Sequence, residues 1–305
     1  MRDFDLLVAG DCNPDLVLAG ASLRPQFGQG ETWVDEAQLV VGGSSSITAC
    51  GAARLGLRTA IAGVIGDDLF GDFMRRQLES AGIVTEALRV DRDRPTGLST
   101  VLVEPGDRAT MTFPGTIGAM RAADVPDALL ERTRHVHTGG FFLQGGGDQL
   151  GDILRRGRAA GATTSLDPGA DPDAEWDGGL RALLGEIDYL MPNAVEACAI
   201  AGVDDVENAA LALAAAGPTV VVKLGEDGVL AVSGDVVVRA PALSVEVADT
   251  IGAGDSTDAG WLAGMLQGRP IADAAHLAAI CGSLSTRARG GTAGQPTLDE
   301  VESLL

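Results

Sequence analysis

At 305 residues and 46% apolar content, the chain is long enough to bury one large α/β core or two small ones. Its 43 acidic against 22 basic residues give a formal charge of −21, a field that repels nucleic acid and anionic membrane surfaces. No apolar run approaches the roughly eighteen residues of a membrane span, and the N-terminus lacks a signal-peptide pattern. Cys12, Cys50, Cys198 and Cys281 are scattered without a Cys-x-x-Cys pair, so neither a zinc site nor a disulfide framework is indicated and a reduced, cytoplasmic protein is expected.

In chain order, 6–9 is a short apolar strand closed by Gly10 and Asp11. Residues 13–41 carry glycines, Pro25 and β-rich pieces at 32–34 and 38–41, which predicts strands and loops. A helix follows over 44–55, then a strand at 59–64 and a helix at 70–81. Strands at 98–103 and 110–113, flanking Pro105-Gly106-Asp107, stand where a helix is expected. Residues 88–115 and 13–41 therefore predict a small sheet projecting from the main body. Strand and helix then alternate: strand 134–138, helix 149–160, strand 163–166, strand 189–191, helix 194–201, helix 207–216 and strand 219–224. A hairpin over 229–239 and helices starting near 254–256, 271 and 298 complete the layout. It is a doubly wound α/β pattern with a mostly parallel central sheet flanked by helices.

The stretch Ala248-Asp249-Thr250-Ile251-Gly252-Ala253-Gly254-Asp255 opens one of these helices. Free backbone N–H groups and the positive end of the helix dipole meet there, so Gly252, Ala253 and Gly254 form a candidate cradle for phosphate oxygens. A carboxylate in such a cradle repels phosphate unless it takes a proton from an attacking hydroxyl, the role assigned to Asp255; helix capping is the bland reading. Lys223 is the only lysine, and Leu224 follows it. A Walker phosphate loop is thereby excluded, and with no His-Arg-Asp loop so is a protein kinase.

Residues 249–255 resemble the C-terminal signature of the ribokinase (PfkB-type carbohydrate kinase) family, in which the last aspartate is the catalytic base. Gly42-Gly43-Ser44-Ser45-Ser46 resembles its N-terminal signature. Gly10-Asp11-Cys12-Asn13-Pro14-Asp15, Gly66-Asp67-Asp68-x-Phe70-Gly71 and Asn193-Ala194-Val195-Glu196 resemble weaker family motifs, so the likeness covers the whole chain. It implies one ribokinase-like kinase domain over 1–305, with the small sheet as a lid that keeps water from the donor phosphate.

The resemblance also implies site roles. Asn13, Asp15, Gly42 and Gly43 would bind a sugar, joined by Gln144 and Asp167 at strand ends, where open α/β sheets bind ligands. Lys223, Gly225, Gly228 and Asn193 would bind ATP. Asn193 and Glu196 would hold Mg²⁺ through water, and Asp249 would help bind a monovalent cation, usually K⁺, with carbonyls around 287–292. Many members carry an asparagine four residues after the second glycine, where this chain has Ile47, so one sugar contact is missing or supplied elsewhere. His135 and His137 alternate on a strand without a third ligand and read as packed strand histidines.

The expected activity is transfer of the ATP γ-phosphoryl group to a hydroxymethyl group of a small ribose- or fructose-like sugar. A nucleoside kinase of the same fold and a non-catalytic sugar-binding relative stand as alternatives. No Gly-x-Gly-x-x-Gly follows the first strand, which disfavours a dinucleotide enzyme. No nucleic-acid or membrane partner is expected, and the family implies a homodimer through the lid sheet.

Overall fold

The computed structural model describes residues 2–25, 27–28, 30–104 and 107–305. Pro105 and Gly106 of the expected lid turn, with Gln26 and Gln29 of the 13–41 segment, lie outside the described residues.

Thirteen strands are described: β1 Phe4–Ala9, β2 Pro14–Ala19, β3 Glu36–Val41, β4 Thr59–Gly66, β5 Val84–Asp91, β6 Leu98–Glu104, β7 Asp107–Phe113, β8 Thr133–Thr138, β9 Thr163–Leu166, β10 Tyr189–Leu190, β11 Thr219–Lys223, β12 Val229–Ser233 and β13 Val236–Ala240. Nine form one sheet in the order β13-β12-β11-β10-β9-β8-β1-β4-β5. Its strands are parallel from β5 to β11, with β12 and β13 antiparallel at one edge. The chain runs outward from β1 through β4 and β5, then returns to place β8 on the other side of β1. That reversal makes the β1/β8 junction the topological switch point, where a crevice opens beyond the carboxyl ends of the strands.

Among the described residues the α-helices are ten: α1 Ser44–Arg54, α2 Leu69–Ser80, α3 Asp127–Glu131, α4 Gly146–Ala159, α5 Leu180–Leu183, α6 Ala194–Ala201, α7 Val206–Ala214, α8 Ala253–Leu266, α9 Ile271–Ser285 and α10 Leu298–Glu302. Alternation along β1 splits the core. Leu7 and Ala9 pack with residues of α4, α6 and α7 on one face, while Leu6 and Val8 pack with α1, α2, α8 and α9 on the other. Among the described residues, no helix is long and apolar enough to cross a membrane.

The small sheet has the order β3-β2-β6-β7. Two sequence expectations shift here, and two short helices elsewhere were not foreseen. Residues 32–34 are irregular rather than strand, and Trp33 is exposed; β propensity without a partner strand does not make a ladder. Residues 88–91 belong to β5 at the edge of the main sheet, so the lid's second contribution begins at Leu98. The short helices α3 and α5 have too few turns to show a period.

Asp68 fastens the base of this sheet to the body. Its carboxylate accepts from the N–H of Gly71 at 2.9 Å, capping α2, and from the N–H and hydroxyl of Thr96 at 2.7 Å each.

Candidate active site

The turn after β1 delivers Asp11 and Asn13 into the switch-point crevice, and the start of β2 delivers Asp15. Asp11 turns back onto α1, accepting from the N–H groups of Ser44 at 3.0 Å and Ser45 at 2.9 Å, so that helix start is already filled by protein carboxylate. Gly42 and Gly43 exist here for close packing. A Cβ on Gly42 would fall 2.2 Å from the Asp15 carboxylate, and Gly43 has φ +76 with Asn13 Oδ1 3.0 Å from where its Cβ would stand.

The second glycine-rich turn starts α8. Gly252 takes φ +71 and has no side-chain cap. The N–H of Ala253 bonds to the Thr250 carbonyl at 3.3 Å, while those of Gly254 and Asp255 have no acceptor among the described residues. These open amides lie beside Asp255 at the positive end of the helix dipole, the arrangement that suits an anion. Asp255 is half-buried and accepts a 2.5 Å hydrogen bond from the Ser44 hydroxyl. Burial, with Asp167 nearby, pushes its carboxyl up to about 7 against the lowering effects of Ser44 and Lys223.

A cavity of about 280 Å³ lies between this corner and the lid. Asn13, Gly43, Gly252 and Asp255 line it from the body and Asp15 from the near end of β2, with Ile47 closing one side. Asn13 Oδ1 is buried with no partner among the described residues, and burial with the charges of Asp11 and Asp249 pushes Asp15 up to about 7.

Behind Asp255 sits a charged cluster. Lys223 Nζ contacts Asp167 at 2.8 Å and Asp258 at 3.2 Å. Burial opposes its charge, yet Asp167, Asp258 and Glu196 outweigh that and hold the ammonium above its ordinary value. Asp167 resists burial through Lys223 and stays low, while Asp258, fully buried, is pushed well up by burial and by Asp167. Oxygens of Asp167, Asp255 and Asp258 lie within 4.8 Å of one another.

The remaining expected residues sit outside the cavity. Asn193 and Glu196 form a reciprocal cap on α6, with Glu196 N–H to Asn193 Oδ1 at 2.9 Å and Asn193 N–H to Glu196 Oε2 at 2.8 Å. Asp249 uses one oxygen for the N–H of Ile251 and the other for that of Gly290, each at 3.0 Å, tying the α8 turn to the loop after α9. Gln144 is buried next to the lining Leu143, its Nε2 without a partner among the described residues. Gly228 is required by the carbonyl of Ala240, 2.1 Å from a hypothetical Cβ, whereas Gly225 faces open space. His135 and His137 are fully buried, bonded to the hydroxyls of Thr163 and Ser165, and burial lowers them to about 3 and 4.

Residues 3–298 match the pfkB family of carbohydrate kinases. The chain belongs to that family. Among its members, a 1-phosphofructokinase from Haloferax volcanii is 34% identical over 88% of this chain and 86% of that protein. An ATP-dependent ribose-1-phosphate kinase from Halopiger xanaduensis is 31% identical over 98% of this chain and 97% of its own. An E. coli protein solved with ATP and Mg²⁺ superposes with a TM-score of 0.87 at 23% identity, covering 98% of both chains, and shares the pfkB fold.

Within this pfkB site, sequence reasoning missed Asp11 as the cap of α1, Ser44 as the partner of Asp255, and Asp258 as a partner of Lys223. Ser44 stood inside a quoted motif, and Asp258 lies one helical turn past Asp255, a spacing that signals a shared face. The lid residues Ser99, Arg108, Thr110 and Thr112 also line the cavity, and period-2 spacing within β6 and β7 was their available signal.

Proposed function

We propose that the chain transfers the γ-phosphoryl group of ATP to a hydroxymethyl oxygen of a small sugar, with Asp255 as general base. The observation that carries this is Asp255 itself, lining the cavity at the start of α8 beside unpaired backbone amides, with its carboxyl raised toward neutral pH.

The substrate O–H gives its proton to Asp255 as its oxygen forms a bond to the γ-phosphorus. The bond from that phosphorus to the β–γ bridging oxygen breaks, and ADP leaves. The amides of Gly252, Gly254 and Asp255 offset charge on the moving oxygens. Asn13 and Asp15 accept from sugar hydroxyls, supported by the unpartnered Oδ1 of Asn13. The nucleotide runs from the Asp255 corner past Lys223 toward Gly225, whose open face leaves room for it. Glu196 and Asn193 would hold Mg²⁺ through water. Their oxygen donors suit that hard ion, and burial together with Asp167 raises the Glu196 carboxyl, a strain that a nearby cation relieves. The ion supplies charge neutralisation at the β- and γ-phosphates.

Among the described residues no aromatic side chain lines the cavity, which favours a sugar over a nucleoside base. The two relatives above are named for sugars that already carry a phosphate, and both are sugar kinases by name.

The test is ADP release with Mg²⁺, K⁺ and ATP across ribose, fructose, their 1-phosphates, 2-dehydro-3-deoxygluconate, adenosine and inosine, beside an Asp255→Asn control. Activity on a sugar that drops at least a hundredfold in the control supports the reading. Near-normal turnover by the control removes Asp255 from the role of base.

A further inference from the structure

The β6–β7 face of the lid is chemically unlike the rest of the cavity wall. In the β6–β7 ladder Ser99 pairs with Thr112, Val101 with Thr110 and Val103 with Arg108. Strand alternation therefore puts Arg108, Thr110 and Thr112 on the face of Ser99 and Val101, and all five line the cavity. The inner end of the cavity offers acceptors: the carboxylates of Asp255 and of Asp15, the latter at the body end of β2, and the amide oxygen of Asn13. The β6–β7 face offers three hydroxyls and a guanidinium.

Arg108 is the one cationic side chain lining the cavity among the described residues. It is exposed, and no carboxylate among the described residues lies within ion-pair distance of it, although the chain carries 43 acidic residues. Salt bridges engage many other arginines, among them Arg58, Arg89, Arg132, Arg156 and Arg289. Its place along the lid is also defined. Asp15 pairs with Ser99, which pairs with Thr112, so these three form one rung near the body. Arg108 lies four residues further along β7, about 13 Å outward at ~3.3 Å per residue. The cation thus stands at the outer end of the cavity, and the acceptors stand at the end near Asp255.

A neutral polyol leaves such a guanidinium unused, whereas a planar fork of donors beside hydroxyls matches the oxygens of a phosphate ester or a carboxylate. We infer that the acceptor sugar carries an anionic group, held by Arg108 and the neighbouring Thr110 hydroxyl, at the end remote from the hydroxyl that is phosphorylated. This rests on the kinase reading above and names the substrate class for the same cavity.

Steady-state kinetics on matched pairs decide it: ribose against ribose 1-phosphate and fructose against fructose 1-phosphate, with 2-dehydro-3-deoxygluconate as the carboxylate arm. Wild type, Arg108→Ala and Arg108→Lys are compared, with a thermal-shift titration of the same sugars as a second readout. Expected is a kcat/KM for at least one anionic sugar a hundredfold or more above the neutral sugar. Arg108→Ala lowers that ratio tenfold or more, chiefly through KM, and Arg108→Lys restores part of it. Which arm responds separates phosphate from carboxylate. Preference for the neutral sugars, or an unchanged ratio in Arg108→Ala, overturns the anionic assignment and leaves the kinase reading standing. Turnover of no sugar at all overturns the kinase reading, and failure of every anionic sugar to shift the melting of wild type then overturns this one as well.

Discussion

The hydroxyl of Ser44 donates to Oδ1 of Asp255 at 2.5 Å, joining two residues 211 positions apart in the chain. Each opens a helix after a glycine, α1 after Gly43 and α8 after Gly252, and both glycines sit at positive φ. The two helix starts differ in what fills them. Asp11 occupies the first, so its dipole is answered by protein, while the second has amides without acceptors among the described residues. The Ser44 hydroxyl is what couples the substrate side of the crevice to the candidate base.

That coupling sets the pH dependence. The base must be unprotonated to accept a proton, and burial raises Asp255 to about 7, so kcat/KM should climb with unit slope below pH 7 and level off above it. The Ser44 hydrogen bond lowers the carboxyl against that burial. Ser44→Ala therefore moves the midpoint to higher pH, with a loss on the order of tenfold at pH 6 and little loss at pH 9. A pH–rate profile from 5.5 to 9.5 checks this. A parallel drop at every pH would mean that Ser44 acts elsewhere.

The same shift has a stability cost. Folded Asp255 keeps its proton up to about pH 7, whereas the unfolded chain releases it near 3.8, so ionisation of this group erodes stability as pH rises between those values. Asp255→Asn removes the penalty. Its melting temperature should exceed wild type at pH 8 and converge with it below pH 4, the behaviour of a residue kept for activity at the expense of the fold. Thermal melts at the two pH values test it, and a variant less stable at pH 8 would contradict the burial argument.

Much of this was legible in the sequence because it is carried by local pattern. Apolar runs ending near Gly or Asp marked β1, β4 and β11, and small residues at helical spacing marked α1 and α8. The Gly-Ala-Gly-Asp stretch announced a helix start with open amides by its own composition. What stayed hidden depends on pairing between distant segments. Nothing at 88–91 distinguishes a strand of the main sheet from a lid strand until β4 is beside it. Arg108 reads as one more arginine until the β6–β7 register turns it over the cavity, and Lys223 reads as a cation without partners until Asp167 and Asp258 are seen beside it. Asn193 and Glu196 read from sequence as a ligand pair, and the reciprocal capping box they form is seen only in the structure and is compatible with that role.

The glycines of the α8 turn should separate fold from function. Gly252→Ala forces an alanine to φ +71 and puts its Cβ 2.7 Å from the Cα of Gly291, so a backbone must move and a loss of at least ~2 kcal/mol is expected. Gly254→Ala meets only the Lys223 side chain, at an ordinary 3.4 Å, and gains up to ~1 kcal/mol of helix propensity. The added methyl stands where phosphate oxygens approach the amides, so Gly254→Ala should melt at or above wild type and raise the KM for ATP tenfold or more. Unfolding in urea and ATP kinetics on both variants check the contrast.

Lys223 answers two carboxylates at once, and its removal tests whether the cluster is structural. Lys223→Met keeps the stem length but leaves Asp167 and Asp258 facing each other, buried and without their cation. Breaking a buried pair in this way costs ~3–5 kcal/mol, because the remaining charge stays desolvated. Asp258 is the partner already pushed toward its neutral form, so Asp258→Asn should cost far less by itself. In the double variant it should recover part of the Lys223→Met loss. Asp167 is held low by Lys223, so Lys223→Met should also lift its carboxyl and weaken ATP turnover through the adjoining Asp255 corner. A double-mutant cycle by urea unfolding gives the coupling. Additive losses would show that the two side chains do not depend on each other, and would return Lys223 to a role toward the nucleotide alone.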